Sequence, residues 1–317
     1  MKLMTFLKKI SNPFMKLDKW TKAALIFGIV LILLMLANMH IKQKEGFIQR
    51  EGFIQREKFI IKKGSAIYDN FYCSIYDDLV LDKIKNDFEV GEIRRIIPTD
   101  QGRVLDIGSG KGHHVKLLNK AGYNAEGLDK SPAMVAQAKQ KYKKYKFKNG
   151  DVMESILYPS NTFTAITCLY FTIYYIKDKT TFFKNCYNWL KPGGYLVIHL
   201  VNRDKFDPIL NTADPLHLIS AQKYAKKRIT NSLIKFKDFQ YKANFDLDKN
   251  NNLAEFNETL KDDKTGNVRQ NKHKFFMDTQ KHILGIAKNT GFILKGKIDM
   301  IATQYQYQYL YILYKPQ

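Results

Sequence analysis

Cysteine is scarce in this chain, and what there is does not pair. Cys73, Cys168 and Cys186 are an odd number at wide spacing among 317 residues, with no CxxC and no histidine cluster beside them. That excludes a disulfide framework and a zinc site of the usual spacing; it fits free thiols in a reducing compartment, and no metal site is expected. Acidic side chains are short too. Thirty Asp and Glu stand against 52 Lys and Arg, leaving a formal net charge of +22. Hydrophobic residues make up 45% and aromatics 13%, ample for a packed interior, so the excess charge belongs on the surface. Such a surface attracts nucleic acid or anionic lipid without any specific site. A codon-driven excess of Lys, Asn, Ile, Tyr and Phe explains the same composition, and neither partner is favoured.

Long hydrophobic runs are missing except for one. Ala23 to Ala37 reads AALIFGIVLILLMLA, and the apolar character continues to Ile41, broken only by Asn38 and His40. About 20 helical residues cover a hydrocarbon core, and Lys19, Trp20, Lys22, Lys42 and Lys44 suit the two interfaces. The run predicts a transmembrane helix over 23–41 after a basic segment, 1–22. It is retained rather than cleaved, because Met35 and Ala37 make a poor signal-peptidase site. A stalk over 42–63 carries two identical hexapeptides, Glu45–Arg50 and Glu51–Arg56, too few to form a solenoid. A globular domain follows over 64–317, with a motif core at 104–201 and an insertion at 204–277.

The core opens with GRVLDIGSGKGHHVKLL from Gly102: an apolar strand, a glycine turn and a helical pattern. Glycines at 108, 110 and 112 permit positive φ and let a ligand lie on bare backbone beside helix N-terminal amides. The dinucleotide fingerprint G-x-G-x-x-G fails here, since His113 stands in its last position.

Val104 to Gly112, with Asp106 two residues before the first glycine, closely resembles the first motif of class I S-adenosylmethionine-dependent methyltransferases. Ala125–Asp129 looks like the second strand, ending in the acid that in this family holds both ribose hydroxyls. Asn149–Val152 looks like the turn whose Asp151 accepts from the adenine amino group while Val152 supports the ring. Phe163–Tyr170 and Trp189–Ile198 resemble the fourth and fifth strands. The resemblance implies an α/β, Rossmann-like, seven-stranded sheet with an antiparallel last strand, and S-adenosyl-L-methionine as methyl donor. Asp106, Gly108, Ser109, Gly110, Gly112, Asp129, Asp151, Val152 and Cys168 are the implied cofactor-binding residues.

The Asn-Pro-Pro-Tyr box of amide and base methyltransferases is absent, so the methyl acceptor stays unidentified among small molecules, lipids and proteins. His199 and Tyr170 fall at strand ends where the family builds its acceptor pocket; a packing role for His199 is equally compatible. Tyr68, Tyr72 and Tyr76 recur at helical spacing, either to cap the site or to pack on the sheet. Alternation of Phe239, Tyr241, Ala243, Phe245 and Leu247 predicts an inserted antiparallel ribbon as an acceptor-side cover. Six lysines from Lys139 to Lys148 read as a solvated face or a lipid or nucleic-acid patch. The tether, the stalk phrasing and the Tyr-Asp-rich helix also look like membrane-anchored methyltransferase-like proteins of large DNA viruses. The expectation is thus a tethered methyltransferase on a single-pass anchor, its domain facing the cytosol where the donor is made. The alternative is a catalytically inactive scaffold of the same fold that binds nucleic acid or a partner protein.

Overall fold

A computed structural model describes residues 18–45, 57–98, 102–208, 230–236 and 239–317. The chain divides into two units, 1–52 and 53–317. The hexapeptide repeat and most of the basic N-terminal segment lie outside the described residues.

In the first unit one helix, α1 (Lys19–Glu45), spans 27 residues. The expected transmembrane helix 23–41 falls on it, but among the described residues no helix is long and apolar enough to cross a membrane.

The second unit contains two sheets. The larger has seven strands: β2 (Arg103–Ile107), β3 (Asn124–Asp129), β4 (Lys146–Asn149), β5 (Phe163–Cys168), β6 (Leu190–Val201), β11 (Ile293–Asp299) and β12 (Gln308–Tyr314). Their order is β11-β12-β6-β5-β2-β3-β4. The pairs from β6 through β4 are parallel, while β12 runs antiparallel to both β6 and β11. The sheet expected from the glycine loop is therefore present. Buried on both faces, the central strands read as near-continuous apolar runs, as parallel strands must.

Apolar layers cover both faces. One packs α3 (Lys83–Ile96), α4 (His113–Lys120) and α5 (Pro132–Lys141) through Val90, Ile93, Val115, Leu118, Val135 and Ala138. The other packs α2 (Asn70–Val80), the single turn α6 (Thr172–Tyr175), α7 (Lys179–Trp189) and α8 (Gln280–Thr290) around Phe163, Phe183 and Trp189. Side-chain caps start these helices. Asp69, Asp82, Ser131, Asp178 and Thr279 each accept from an amide in the first turn, which satisfies donors a helix leaves open. Gly291 closes α8 in the left-handed conformation at φ 111°.

The smaller sheet forms the cover, in the order β1-β10-β9-β8-β7. β7 (Asn231–Lys235), β8 (Phe239–Asp248), β9 (Leu253–Asp262) and β10 (Val268–Phe276) are the predicted antiparallel ribbon. Its outer strand β1 (Phe59–Lys63) pairs parallel to β10. Those five residues were expected in the stalk; pairing of their backbone to β10 makes them part of the domain. Tyr309 and Tyr311 are on β12, whereas Tyr305 and Tyr307 precede it.

Candidate active site

The glycine loop joins β2 to α4. Gly108, Gly110 and Gly112 have φ of 69°, 51° and 80°, a region other residues enter at a cost of about 1–2 kcal/mol. Two of the three also need their missing side chain. A Cβ on Gly108 would run into Thr172, and one on Gly112 would come within 2.5 Å of the Phe147 ring. A Cβ on Gly110 would meet nothing within 4 Å. Its backbone faces open space.

That loop is fastened to the second strand. Gly108 and Ser109 amides both donate to Leu128 O, at 2.8 and 3.1 Å. The Gly110 amide donates to Asp129 Oδ2 and the Ser131 amide to Oδ1, each at 2.8 Å. Each oxygen keeps a further lone pair, so the carboxylate can still accept from a vicinal diol. Burial pushes the Asp129 pKa up against those two amides. Two residues beyond β4, Asp151 accepts from Lys130 Nζ at 2.7 Å and from the Met153 amide at 3.1 Å. Partial burial alone would raise it, but these donors hold it below the ordinary carboxylate range. Val152 is buried behind it.

A cleft of about 80 Å³ lies against the loop, lined by Asp106, Gly108, Ser109, Gly110, Tyr76 and Tyr170 among others. Nucleoside-sized ligands need several times that volume, and α2 is what closes the space. Asp77 of α2 receives Lys111 Nζ at 3.2 Å, His113 Nε2 at 2.9 Å and Lys141 Nζ at 3.0 Å. Burial opposes its charge, yet His113 and the two lysines hold its pKa well below the usual value. The aromatic helix is thus latched to the loop by charge.

Tyr170, one of the two weak catalytic candidates, lines this cleft at φ 55°. A bulky residue in left-handed backbone signals a position held by its surroundings. Beneath it Lys85 Nζ sits 4.8 Å from the ring centroid and donates to Glu89 Oε2 at 2.9 Å, which also faces His114 Nε2 at 2.7 Å. Burial would raise Glu89, but Lys85 and His114 bring it down to about 2.

The other predicted residues separate. Asp106 borders the cleft but is nearly inaccessible, accepts from Thr167 Oγ1 at 2.7 Å, and is driven up to about 6 by burial. His199 is fully buried on β6, its pKa driven down to about 4 by burial; it belongs to the interior, not to the cleft surface. Cys168 is likewise fully buried in the core, and burial raises its thiol far above the usual range. All three cysteines are free thiols. The six lysines from 139 to 148 are exposed; Lys141 is committed to Asp77, and Lys148 donates to Leu157 O. Among the described residues no cluster fits a metal ion.

Sequence reasoning missed a second polar group, beneath the cover. Glu258, Arg269, Asn271 and His273 are all buried. The signal was available in phase: Glu258 falls between Phe256 and Leu260, and His273 two before Phe275, on the inward face of alternating strands.

Residues 105–198 match the methyltransferase domain family. The chain is 27% identical over 115 residues to a probable S-adenosylmethionine-dependent methyltransferase of Mycolicibacterium smegmatis, covering 36% of this chain and 44% of that protein. It is 31% identical over 121 residues to the phosphoethanolamine N-methyltransferase of Plasmodium falciparum, covering 37% and 42%. The chain thus spans less than half the length of these relatives. The CcbJ methyltransferase of Streptomyces caelestis superposes with TM-score 0.62 at 11% identity, over 80% of this chain and all of that one, which is a likeness of fold. Residues 105–198 are a class I methyltransferase domain, and S-adenosyl-L-methionine is its methyl donor.

Proposed function

We propose that this class I methyltransferase domain is an active enzyme that moves the methyl group of S-adenosyl-L-methionine to a small-molecule amine held between the seven-stranded sheet and the cover. The observation that carries the reading is the loop itself. Gly110 offers bare backbone to open space while its amide holds Asp129 in place at the end of β3. The residues fit the donor: Asp129 for the ribose diol, Asp151 for the adenine edge, and the loop backbone for the methionyl end.

The transfer itself asks little proton chemistry of the donor side. The nucleophile's lone pair forms a bond to the methyl carbon as the carbon–sulfur bond breaks, and S-adenosylhomocysteine leaves with that electron pair. The protein's share is alignment and exclusion of water. Tyr170 is fixed beside the loop for that purpose, and α2 closes the cleft.

An amine is the acceptor that the surroundings support. Tyr68, Tyr175 and Phe275 meet edge to face, with centroids 6.2 and 4.8 Å apart. Ring faces attract an ammonium and repel an anion, and the buried carboxylate of Glu258 lies behind them. The Plasmodium relative is named for an amine acceptor as well. The working compartment we propose is the cytosol, in keeping with three unpaired thiols; fractionation of the intact protein checks it.

Calorimetric titration of S-adenosylmethionine and S-adenosylhomocysteine into the full chain is the first test. Binding of both, followed by release of S-adenosylhomocysteine with phosphoethanolamine or ethanolamine as acceptor, is expected. A folded chain that binds neither would leave the domain as a scaffold.

A further inference from the structure

One hydrogen-bonded chain runs from the partly buried Tyr68 into the interior of the cover. Tyr68 Oη lies 2.8 Å from Tyr175 Oη, Tyr175 Oη 2.7 Å from His273 Nδ1, and His273 Nε2 2.8 Å from Glu258 Oε2. Tyr68 and Tyr175 are half-buried; His273 and Glu258 are closed off from solvent. The four residues come from the turn before α2, from α6, and from β10 and β9.

The direction of every proton in that chain is set at its inner end. Glu258 Oε1 accepts from Tyr72 Oη at 2.9 Å and Tyr241 Oη at 2.8 Å, and Oε2 accepts from Asn271 Nδ2 at 3.1 Å as well as facing His273. Burial works against the charge, but His273 and these donors keep Glu258 below the ordinary carboxylate range. An ionised carboxylate only accepts, so His273 Nε2 carries a proton. In the neutral ring Nδ1 is then bare and accepts from the Tyr175 hydroxyl. Tyr175, having donated, accepts from Tyr68. The Tyr68 oxygen is left with a free lone pair at the outer end.

Tyr68 stands next to the donor cleft. Its ring centroid is 6.3 Å from that of Tyr76, which lines the cleft, and its carbonyl receives Ser131 Oγ at 2.8 Å, just beyond Asp129. Burial holds both phenols, Tyr68 and Tyr175, well above their usual pKa, so neither is a phenolate at rest.

We propose that Tyr68 takes the proton of the acceptor ammonium while its own passes through Tyr175 to His273 Nδ1, with Glu258 holding the resulting imidazolium. This deepens, and rests on, the reading above of an amine acceptor. The balance is simple: one N–H bond of the acceptor breaks, one N–H bond forms at Nδ1, and the freed lone pair attacks the methyl carbon. In this relay Tyr68 is the catalytic residue, the group placed against the acceptor. Tyr175, His273 and Glu258 are positioning residues. The logic is that of a carboxylate fixing the tautomer of a histidine base, extended by two phenols. Of the other charged groups beside β10, Arg269 pairs with Asp69 at 2.9 Å and Lys62 of β1 with the same carboxylate at 3.8 Å, while Glu255 and Lys261 of β9 and Lys63 of β1 stand opposite Lys274, Val268 and Lys272.

Two measurements on the full chain decide it. In the first, histidine ¹⁵N resonances are recorded, with His273 assigned through His273→Gln. A protonated Nε2 and bare Nδ1 are expected, and the opposite tautomer overturns the relay. In the second, product release with phosphoethanolamine and ethanolamine is followed against pH for the wild type, His273→Gln and Tyr175→Phe. Loss of a general base lowers kcat by about 10²-fold or more near neutrality. Because an amine deprotonates unaided near pH 10, the deficit shrinks as pH rises, while donor affinity is unchanged. A loss of rate that is uniform in pH, or no loss at all, overturns the relay. Donor binding without turnover of either amine overturns it together with the amine reading; failure of donor binding sinks the methyltransferase reading itself.

Discussion

Arg269 grips Asp69 across 200 residues of sequence: its Nη1 lies 2.9 Å from both carboxylate oxygens. Nη2 donates to Ile67 O at 2.8 Å and Nε to Asn271 Oδ1 at 2.8 Å. Asp69 is also the N-cap of α2, accepting from the Tyr72 amide. A single buried guanidinium therefore ties the cover sheet to the start of the aromatic helix. Arg269→Met leaves that cap half-exposed and the carbonyl unpaired. We expect a loss of about 2–4 kcal/mol in urea unfolding, and a weaker hold on the donor because α2 loosens.

The three loop glycines should behave differently. Gly112→Ala forces a methyl into Phe147 and should lower the melting temperature by several degrees. Gly110→Ala has room and loses only about 1–2 kcal/mol from its backbone, yet its methyl enters the open space that the proposed function gives to the donor. At least tenfold weaker donor binding in calorimetry, with the fold intact, is the expected result for Gly110→Ala.

Two buried groups on the strands that flank β5 give opposite responses to acid. His199 has its folded pKa depressed to about 4 from an ordinary 6.5. The unfolded chain takes up that proton first, so stability falls by about 3 kcal/mol as pH drops from 6.5 to 4. Asp106 has its folded pKa raised to about 6. There the native state binds the proton first, so stability rises as pH falls from 6 toward 4. Denaturant unfolding across this range should show a flatter profile for His199→Gln and, for Asp106→Asn, a steeper decline into acid.

Lys85 and Glu89 are almost completely buried, with the ammonium over the Tyr170 ring. Lys85→Met leaves Glu89 with His114 alone. A destabilisation of about 3–5 kcal/mol is expected, and it should be largely relieved in Lys85→Met/Glu89→Gln if the penalty is an uncompensated charge. A double-mutant cycle by chemical unfolding reads this directly.

The glycine turn was legible because it is written in consecutive residues. Asp106, Gly108, Gly110 and Gly112 sit together at the end of β2, Asp129 ends β3 and Asp151 lies two residues past β4, so the motif order brings them to the same edge of the parallel sheet. The cover's polar interior was not legible in that way. Glu258 and His273 are joined only by the antiparallel register that sets His273 against Phe256 and Asn271 against Glu258. Nothing local marks Glu258 as buried except its phase with Phe256 and Leu260. Phe59–Lys63 was hidden for a related reason: five residues beside a repeat carry no turn signal, and their partner lies more than half the chain away. Cys168 and His199 show the reverse case, where a strand-end position in the motif order proved to be interior packing.

That outer strand has a consequence for how the molecule comes into being on the ribosome. β1 is among the first described residues of its domain to be made, and β10, which it must join, among the last. The glycine loop and the strands around it need only neighbours close in sequence, and can form while the rest of the chain is still being synthesised. The cover must wait for Val268–Phe276 to emerge, so β1 spends most of synthesis as an unpaired edge, the kind of segment that aggregates or recruits chaperones. Pairings of such long range are also the slow step of folding. A nascent chain stalled before β10 would thus hold the glycine loop without its cover, which is completed only when Phe59–Lys63 meets Val268–Phe276.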